Sequence, residues 1–129
     1  MNIQLKHWQV TSLKMTSENI NTFTSATSSG DLHLEVGNTF IDDQNFDVLF
    51  KINLSDDEFS LEIEARFDFQ LDVIMTEDFK TSSFPVVNAP AISFPYLRAF
   101  ISNLTLQSGI KPIILPSINF VELHKNKDP

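Results

Sequence analysis

The middle of the chain is marked by a strict alternation of apolar and polar residues. Over residues 59–73 every odd position is apolar and every even position is polar or charged. A period of two is typical of a strand with one buried and one solvated face, as found in antiparallel sheets. Residues 46–54 follow nearly the same rule, and the four residues between the two segments are polar. We therefore predict a β-hairpin here.

Two weaker strand patterns precede the hairpin. Over residues 3–15 the apolar positions change phase twice, and over residues 32–40 the apolar positions are Leu32, Leu34, Val36 and Phe40. Gly37 and Asn38 predict a bend or bulge in the second of these strands, and residues 42–45 a turn. Residues 17–30 are rich in Ser, Thr and Asn, which is typical of a loop.

The C-terminal half has a different pattern. Residues 75–93 lack periodicity and contain two X-Pro pairs, which predicts an extended connection. Pro95 is expected to open a helix that ends at Gly109, followed by an extended segment and a short helix over residues 117–125. The fold class is therefore α+β, a four-stranded antiparallel sheet with two C-terminal helices. Neither an internal repeat nor a linker is evident, so residues 1–129 are predicted to form one domain.

Charge and composition exclude several classes of function. The 129 residues contain no cysteine, which excludes disulfide scaffolds and thiolate sites. The net charge is −8, and residues 31–78 alone hold 14 acidic and two basic residues. Such a surface suits a basic partner and disfavours nucleic acid and anionic membranes. With no signal peptide or spanning segment apparent, we expect a cytoplasmic protein.

The residues that could carry chemistry form no reactive constellation. His7, His33 and His124 are far apart and lack ligand spacing, so no metal site is expected. Glu62 and Glu64 fall on the solvated face of a regular strand, where carboxylates are ordinary surface charges. Three glycines build no phosphate loop. We predict a protein that is not an enzyme and needs no cofactor.

The remaining feature is apolar surface. The chain has 12 Phe but one Trp and one Tyr, and two short helices must cover the apolar face of four strands. The patterns leave two alternatives open. Either this surface is entirely core, or part of it stays available for self-association or for apolar segments of other proteins.

Two motifs near the C-terminus favour the second alternative. SFPYLRAFIS (residues 93–102) resembles the Phe-Pro-Tyr-Ala-Arg run that opens the first long helix of the SecB protein-export chaperones. GIKPIILPSINFVEL (residues 109–123) is similar to that family's Pro-x-Leu-x-Leu-x-Pro-Val-Asn-Phe element, which leads into its last helix. The resemblance implies a SecB-like fold assembled as a dimer of dimers.

The resemblance also implies where such a protein binds its partners. Unfolded polypeptides would be held, without nucleotide, in an apolar groove; the matching positions are Leu32, Leu34, Val36, Phe59, Ile63 and Phe69, with Phe120 and Leu123 as a lid. Subunits would associate through the long helix, at Tyr96, Phe100 and Leu104. The translocase motor SecA would dock on outer-face acids, for which this chain offers Glu62 and Glu18.

The sequence departs from the family at the docking site. The acids expected on the first strand are Ser12 and Thr16 here, and the last helix is short. Some SecB-like proteins instead chaperone the antitoxin of a toxin–antitoxin module, and a chain without the motor contacts suits that role. We therefore expect an ATP-independent holdase, with delivery of its clients to SecA as one role. The alternatives are a dedicated antitoxin chaperone and a carrier of small apolar ligands.

Overall fold

The structure is a computed structural model that describes residues 1–17, 31–55 and 59–127. The described strands are β1 (Ile3–Ser17), β2 (Asp31–Phe40), β3 (Asn45–Ser55) and β4 (Phe59–Leu71). They are followed by α1 (Glu77–Lys80), a π-helical turn (Phe84–Asn88), α2 (Ala89–Gln107) and α3 (Phe120–Lys127). The strands form one antiparallel sheet in the order β1-β4-β3-β2. The predicted α+β class and the β3–β4 hairpin are confirmed.

The core lies on one face of the central hairpin. Along β3 and β4 the apolar rows point inward, and Phe46, Phe59, Phe67 and Phe69 expose at most 1% of their surface. Phe46 and Phe69 are cross-strand partners whose rings stack 5.2 Å apart. Helix α2 covers this face with Leu97 and Ile101, both fully buried. Removing the aromatic side chains from water is the main driving force of this packing.

The two changes of phase in β1 are β-bulges. The pairing with β4 shifts between Leu5 and His7 and again between Val10 and Ser12, so Lys6 and Thr11 are the extra residues. Each bulge returns the next apolar residue to the inner face. Trp8 consequently lies opposite Phe67, and the two rings stack 5.0 Å apart. Both changes of phase in the sequence pattern therefore coincide with a bulge.

The bend or bulge predicted at Gly37 and Asn38 is absent. The pairing of β2 with β3 is continuous from Asp31 to Phe40, and Gly37 lies opposite Leu49 without a shift. The turn that follows β2 is as predicted. The Asp42 carboxylate accepts hydrogen bonds from the backbone N–H of Gln44 and the side-chain amide of Asn45, both at 2.8 Å. These bonds lower the pKa of Asp42.

The long helix begins earlier than Pro95. Helix α2 starts at Ala89, directly after the π-helical turn, and contains Pro95 in its interior. Pro90 occupies the first turn, where a missing N–H costs nothing, so the pair that suggested a loop in fact begins the helix. The predicted connection over residues 75–93 also contains α1, whose N-cap Thr76 accepts a hydrogen bond from the N–H of Phe79.

The end of α2 and the segment after it are fixed by hydrogen bonds. Gly109, with φ of 80°, follows the helix as predicted. The Gly109 N–H donates a hydrogen bond to the Leu106 carbonyl, and the Ile110 N–H donates one to the Thr105 carbonyl. These two bonds form a Schellman motif. The hydroxyl oxygen of Thr105 accepts a hydrogen bond from the Ile113 N–H, and the hydroxyl of Ser102 donates a hydrogen bond to the Ile113 carbonyl. The connection to α3 is thereby held against α2.

Candidate functional site

An apolar groove of about 460 Å³ lies between edge strand β2, the π-helical turn and α3. The π-helical turn and α3 contribute apolar side chains, and six consecutive residues of β2 form the other wall. The residues that line the groove are His33, Leu34, Glu35, Val36, Gly37, Asn38, Pro85, Val86, Phe120, Leu123 and His124. A concave, mainly apolar surface with a few polar groups is the usual form of a binding site.

Helix α3 is positioned by its first residue and its cap. Phe120 is only 5% exposed, and its ring lies 5.7 Å from that of Phe94 and 6.2 Å from that of Phe50. The side chain of Asn119 accepts a hydrogen bond from the N–H of Glu122, which caps the helix. Leu123 follows Phe120 by three residues and so lies on the same side of α3, where it remains half-buried.

Four of the eight groove residues expected from the sequence meet in this groove. Leu34 and Val36 come from β2, and Phe120 and Leu123 from α3. Leu32 belongs to the same apolar row of β2 and packs against the core, but it does not line the groove.

The other three expected groove residues lie in the core. Phe59, Ile63 and Phe69 expose at most 1% of their surface. They belong to β4, which is the second strand inward from β2 and is covered by other elements. The structure therefore places them beneath the surface that a ligand could reach in the single chain. The sequence could not predict this, because alternation identifies the inward face of a strand without indicating what covers it.

Sequence reasoning missed the polar and π-helical residues of the groove. Pro85 and Val86 fall in the segment that the sequence predicts as an extended connection, whereas they belong to the π-helical turn. His33 and Glu35 lie on the solvated face of β2, with Nε2 of His33 3.2 Å from Oε2 of Glu35. Asn38 had a detectable signal, because it interrupts the apolar row of β2 at an inward-facing position.

A second apolar surface lies where α2 meets β1. Trp8, Pro95, Tyr96, Ala99, Phe100 and Asn103 surround a shallow depression of about 580 Å³. Tyr96 is 50% exposed, and Phe100 packs edge-on against Trp8 at 6.1 Å. Leu104, the third residue expected at an oligomer interface, packs against the core of its own chain as Phe100 does, but it does not line this depression. Tyr96 and Phe100 are therefore together on an accessible surface.

The outer face of the sheet carries charges of both signs. Glu62 is exposed and lies between Lys14 and Asn53 in the strand register. Nε of Arg66 is 3.2 Å from Asp68 and 3.8 Å from Asp47. Glu18, the other expected docking residue, lies outside the described residues.

The acidic pair Asp47 and Asp68 has a distinct electrostatic environment. The two residues are cross-strand partners on β3 and β4. Burial, a hydrogen bond to Asp68 and repulsion from it raise the pKa of Asp47 to about 6, while Arg66 opposes the shift.

Within residues 1–17, 31–55 and 59–127, none of the helices combines the length and apolar character needed to cross a bilayer.

The chain matches a protein family over nearly its whole length. Residues 2–128 match the family described as preprotein translocase subunit SecB. The protein-export protein SecB of Magnetococcus marinus is 30% identical over 106 residues, which cover 80% of this chain and 60% of that protein. An uncharacterised protein of Methanocaldococcus jannaschii is 45% identical over 47 residues, 36% of this chain and 30% of that protein. These relatives are longer, and the chain spans 60% or less of their length.

The fold also has a counterpart among solved structures. A SecB-like chaperone of Mycobacterium tuberculosis, solved in complex with a ChAD peptide from the HigA1 antitoxin, superposes with a TM-score of 0.69. The sequence identity is 16%, and the superposition covers 90% of this chain and 87% of that one. The similarity is one of fold: an antiparallel sheet carrying C-terminal helices on one face.

Proposed function

Because this chain belongs to the SecB family, we propose that it is a chaperone of protein export that holds unfolded polypeptides in the cytoplasm without hydrolysing ATP. The observation that supports this proposal best is the apolar groove between β2 and α3. Holding is reversible binding, so no catalytic group and no cofactor are needed. The clients are non-native chains whose apolar side chains have not found their own core.

The groove offers the kind of contact that holding requires. Leu34, Val36 and Leu123 are half-buried, so an apolar client residue can cover them further. Burying a side chain of the size of leucine contributes about 1.5–3 kcal/mol. A single groove therefore binds a short segment weakly, and a long unfolded client gains affinity by occupying several grooves at once.

A multi-subunit assembly would supply those additional grooves. We propose a dimer of dimers in which the surface around Tyr96 and Phe100 contacts another copy. Both side chains lie on the accessible depression at the junction of α2 and β1. An exposed aromatic surface of this kind is typical of a contact between subunits.

The proposal also includes delivery of the client to SecA, which would dock on the outer face of the sheet. Glu62 is exposed on the outer face of the sheet, away from the groove, so a partner could bind there while a client is held. Residues 31–78 carry a large excess of acids, which favours a basic partner. Lys14 lies directly opposite Glu62 and reduces the negative potential at that position.

A dedicated antitoxin chaperone is the second candidate. The solved counterpart of this fold is in complex with an antitoxin peptide. The chain also has Ser12 and Thr16 on β1, next to Glu62 across the sheet, where acids would strengthen docking of the motor. Capture of clients in the native host separates the two candidates, because a general chaperone retains many precursors and a dedicated one retains a single small partner.

The holdase proposal is tested by aggregation of a chemically denatured client. The protein at near-stoichiometric ratio should suppress light scattering when the client is diluted from denaturant, with or without ATP. Scattering that is unaffected by an excess of the protein would reject the proposal. Native mass spectrometry of the purified protein tests the remaining alternative, since a carrier of small apolar ligands would retain a lipid-like molecule.

A matched pair of variants on α3 links this activity to the groove. Leu123→Asp places a charge in the groove wall and should weaken suppression at least tenfold in the protein concentration required. Val121→Asp, on the same helix at a residue that is 44% exposed and does not line the groove, should retain it. Equal loss in both variants would show that α3, not the groove, is responsible.

A further inference from the structure

Asn38 is a polar residue in an apolar position of the groove. Alternation along β2 places it on the same face as Leu34 and Val36, and its partner in β3 is the fully buried Val48. It is half-buried and lines the groove opposite α3. An apolar residue here would extend the apolar row and enclose the groove more completely, so the amide is a departure from what packing alone favours.

The carboxamide of Asn38 has unused hydrogen-bonding capacity. Within the described part of the chain, its side chain takes part in no hydrogen bond. The facing wall is formed by Pro85, Val86, Phe120, Leu123 and His124, and of these side chains only that of His124 has polar atoms. The other polar side chains that line the groove are His33, Glu35 and His124, and the first two interact with each other.

An unpartnered amide in an apolar groove is suited to one kind of ligand group. A carboxamide offers an N–H donor and a C=O acceptor in one plane, which complements the C=O and N–H of a peptide bond. When a client covers the groove and excludes water, leaving this amide without a partner is unfavourable. A hydrocarbon ligand cannot relieve that cost, whereas a polypeptide backbone can.

We propose that Asn38 binds the backbone of the client and makes the groove selective for polypeptide segments that are not in a helix or sheet. Backbone N–H and C=O groups are free only in unfolded or extended chains, because helices and sheets use them internally. The occupant is therefore an extended segment with apolar side chains against Leu34 and Leu123 and one peptide group at Asn38. This inference rests on the proposed function and adds what the groove recognises besides apolar surface.

The test replaces backbone amides of a ligand by esters. The probe is a fluorescein-labelled peptide in which leucine alternates with serine, together with a series in which each backbone amide in turn is an ester. An ester has no N–H and is a weaker acceptor. Wild-type protein should bind the amide peptide about threefold to tenfold more tightly than the ester at one or two positions, the range expected for one hydrogen bond.

Asn38→Leu should abolish that preference while leaving a folded protein. The ratio of amide to ester affinity should fall to about one, whatever the absolute affinity becomes, because the added apolar surface can compensate. Anilinonaphthalene sulfonate, which has no peptide group, should bind the variant at least as well as the wild type. Asn53→Leu, the same change on the outer face of β3, is the matched control and should retain the wild-type ratio.

Failure of the proposed role of Asn38 and failure of polypeptide binding itself would give different results. Ester peptides that bind wild-type protein as well as the amide peptide at every position would overturn the role of Asn38, as would an unchanged preference in Asn38→Leu. If the wild type binds anilinonaphthalene sulfonate but no peptide, the polypeptide-binding function itself fails, and the inference with it.

Discussion

The central hairpin and the β2–α3 groove have similar sequence patterns but different solvent exposure. In both, apolar residues alternate with polar ones on neighbouring strands. The rows of β3 and β4 are sealed, whereas Leu34 and Val36 on edge strand β2 remain half-buried. The difference arises from position in the sheet and from the covering elements, because among the described helices the short α3 and the π-helical turn line the groove beside β2. Alternation therefore defines an apolar face, and its coverage decides between core and binding surface.

The largest effect is expected where the face is sealed. Phe69→Ala removes a ring that stacks on Phe46 at 5.2 Å and leaves a cavity in the core. The free energy of unfolding in urea should fall by about 3–5 kcal/mol. Molecules that remain folded should bind clients with unchanged affinity. A loss of affinity without loss of stability would place Phe69 in the binding surface after all.

A smaller effect is expected on the exposed aromatic surface of α2. Tyr96→Glu places a charge at the proposed contact between subunits, and burial of an unpaired charge there is strongly unfavourable. Sedimentation should show a smaller assembly than the wild type, with the circular dichroism spectrum retained. Ile92→Glu is the control, since Ile92 is 46% exposed on the same helix but does not line the depression. Identical assembly sizes for wild type and Tyr96→Glu would remove this surface from the interface.

In the groove, a substitution should weaken client binding more than it lowers the stability of the fold. Leu34→Ala removes contact area that is already half-exposed, so we expect a loss of only about 1 kcal/mol in the free energy of unfolding. Client affinity, measured by fluorescence anisotropy, should fall about tenfold, which corresponds to about 1.4 kcal/mol of apolar contact. A stability loss as large as that of Phe69→Ala would mean that Leu34 belongs to the core.

Local patterns predicted the sheet well because strands are specified by their own residues. Alternation predicted β3 and β4, and the phase changes in the pattern of β1 coincide with bulges at Lys6 and Thr11. Gly109 was a reliable helix end because its left-handed backbone is required there. In each case the signal and the structure it specifies involve the same few residues.

Features that depend on distant partners could not be predicted in this way. Pro95 was expected to open α2, but the helix begins at Ala89 and its packing on the sheet compensates for the missing hydrogen bond. Whether Phe59 or Ile63 is accessible depends on elements far away in the sequence, so alternation alone could not place them. The polar lining of the groove was missed for the same reason, although Asn38 is visible in the sequence as a polar residue in an apolar row.

The smallest effect concerns the opposite face of the same central hairpin, where polar residues lie against solvent. Asp47 has a pKa of about 6 in the folded protein, above the ordinary 3.8, so the folded state binds its proton more tightly than the unfolded state does. Stability from this group is therefore fully present below about pH 4 and is lost as the pH rises to about 6.

Asp47→Asn should remove this decline and raise the free energy of unfolding at pH 7 by about 1 kcal/mol, solvent screening included. Asp68→Asn should reduce the slope in the same window without abolishing it, because it removes the neighbouring charge but leaves the burial of Asp47, the largest cause of the raised pKa. Asp42 cannot mimic the effect, because its lowered pKa gives stability that is fully present above about pH 3.8 and is lost only as the pH falls below that value. Urea unfolding at intervals between pH 4 and 7 measures the slope, and a wild-type slope in Asp47→Asn would contradict the assignment.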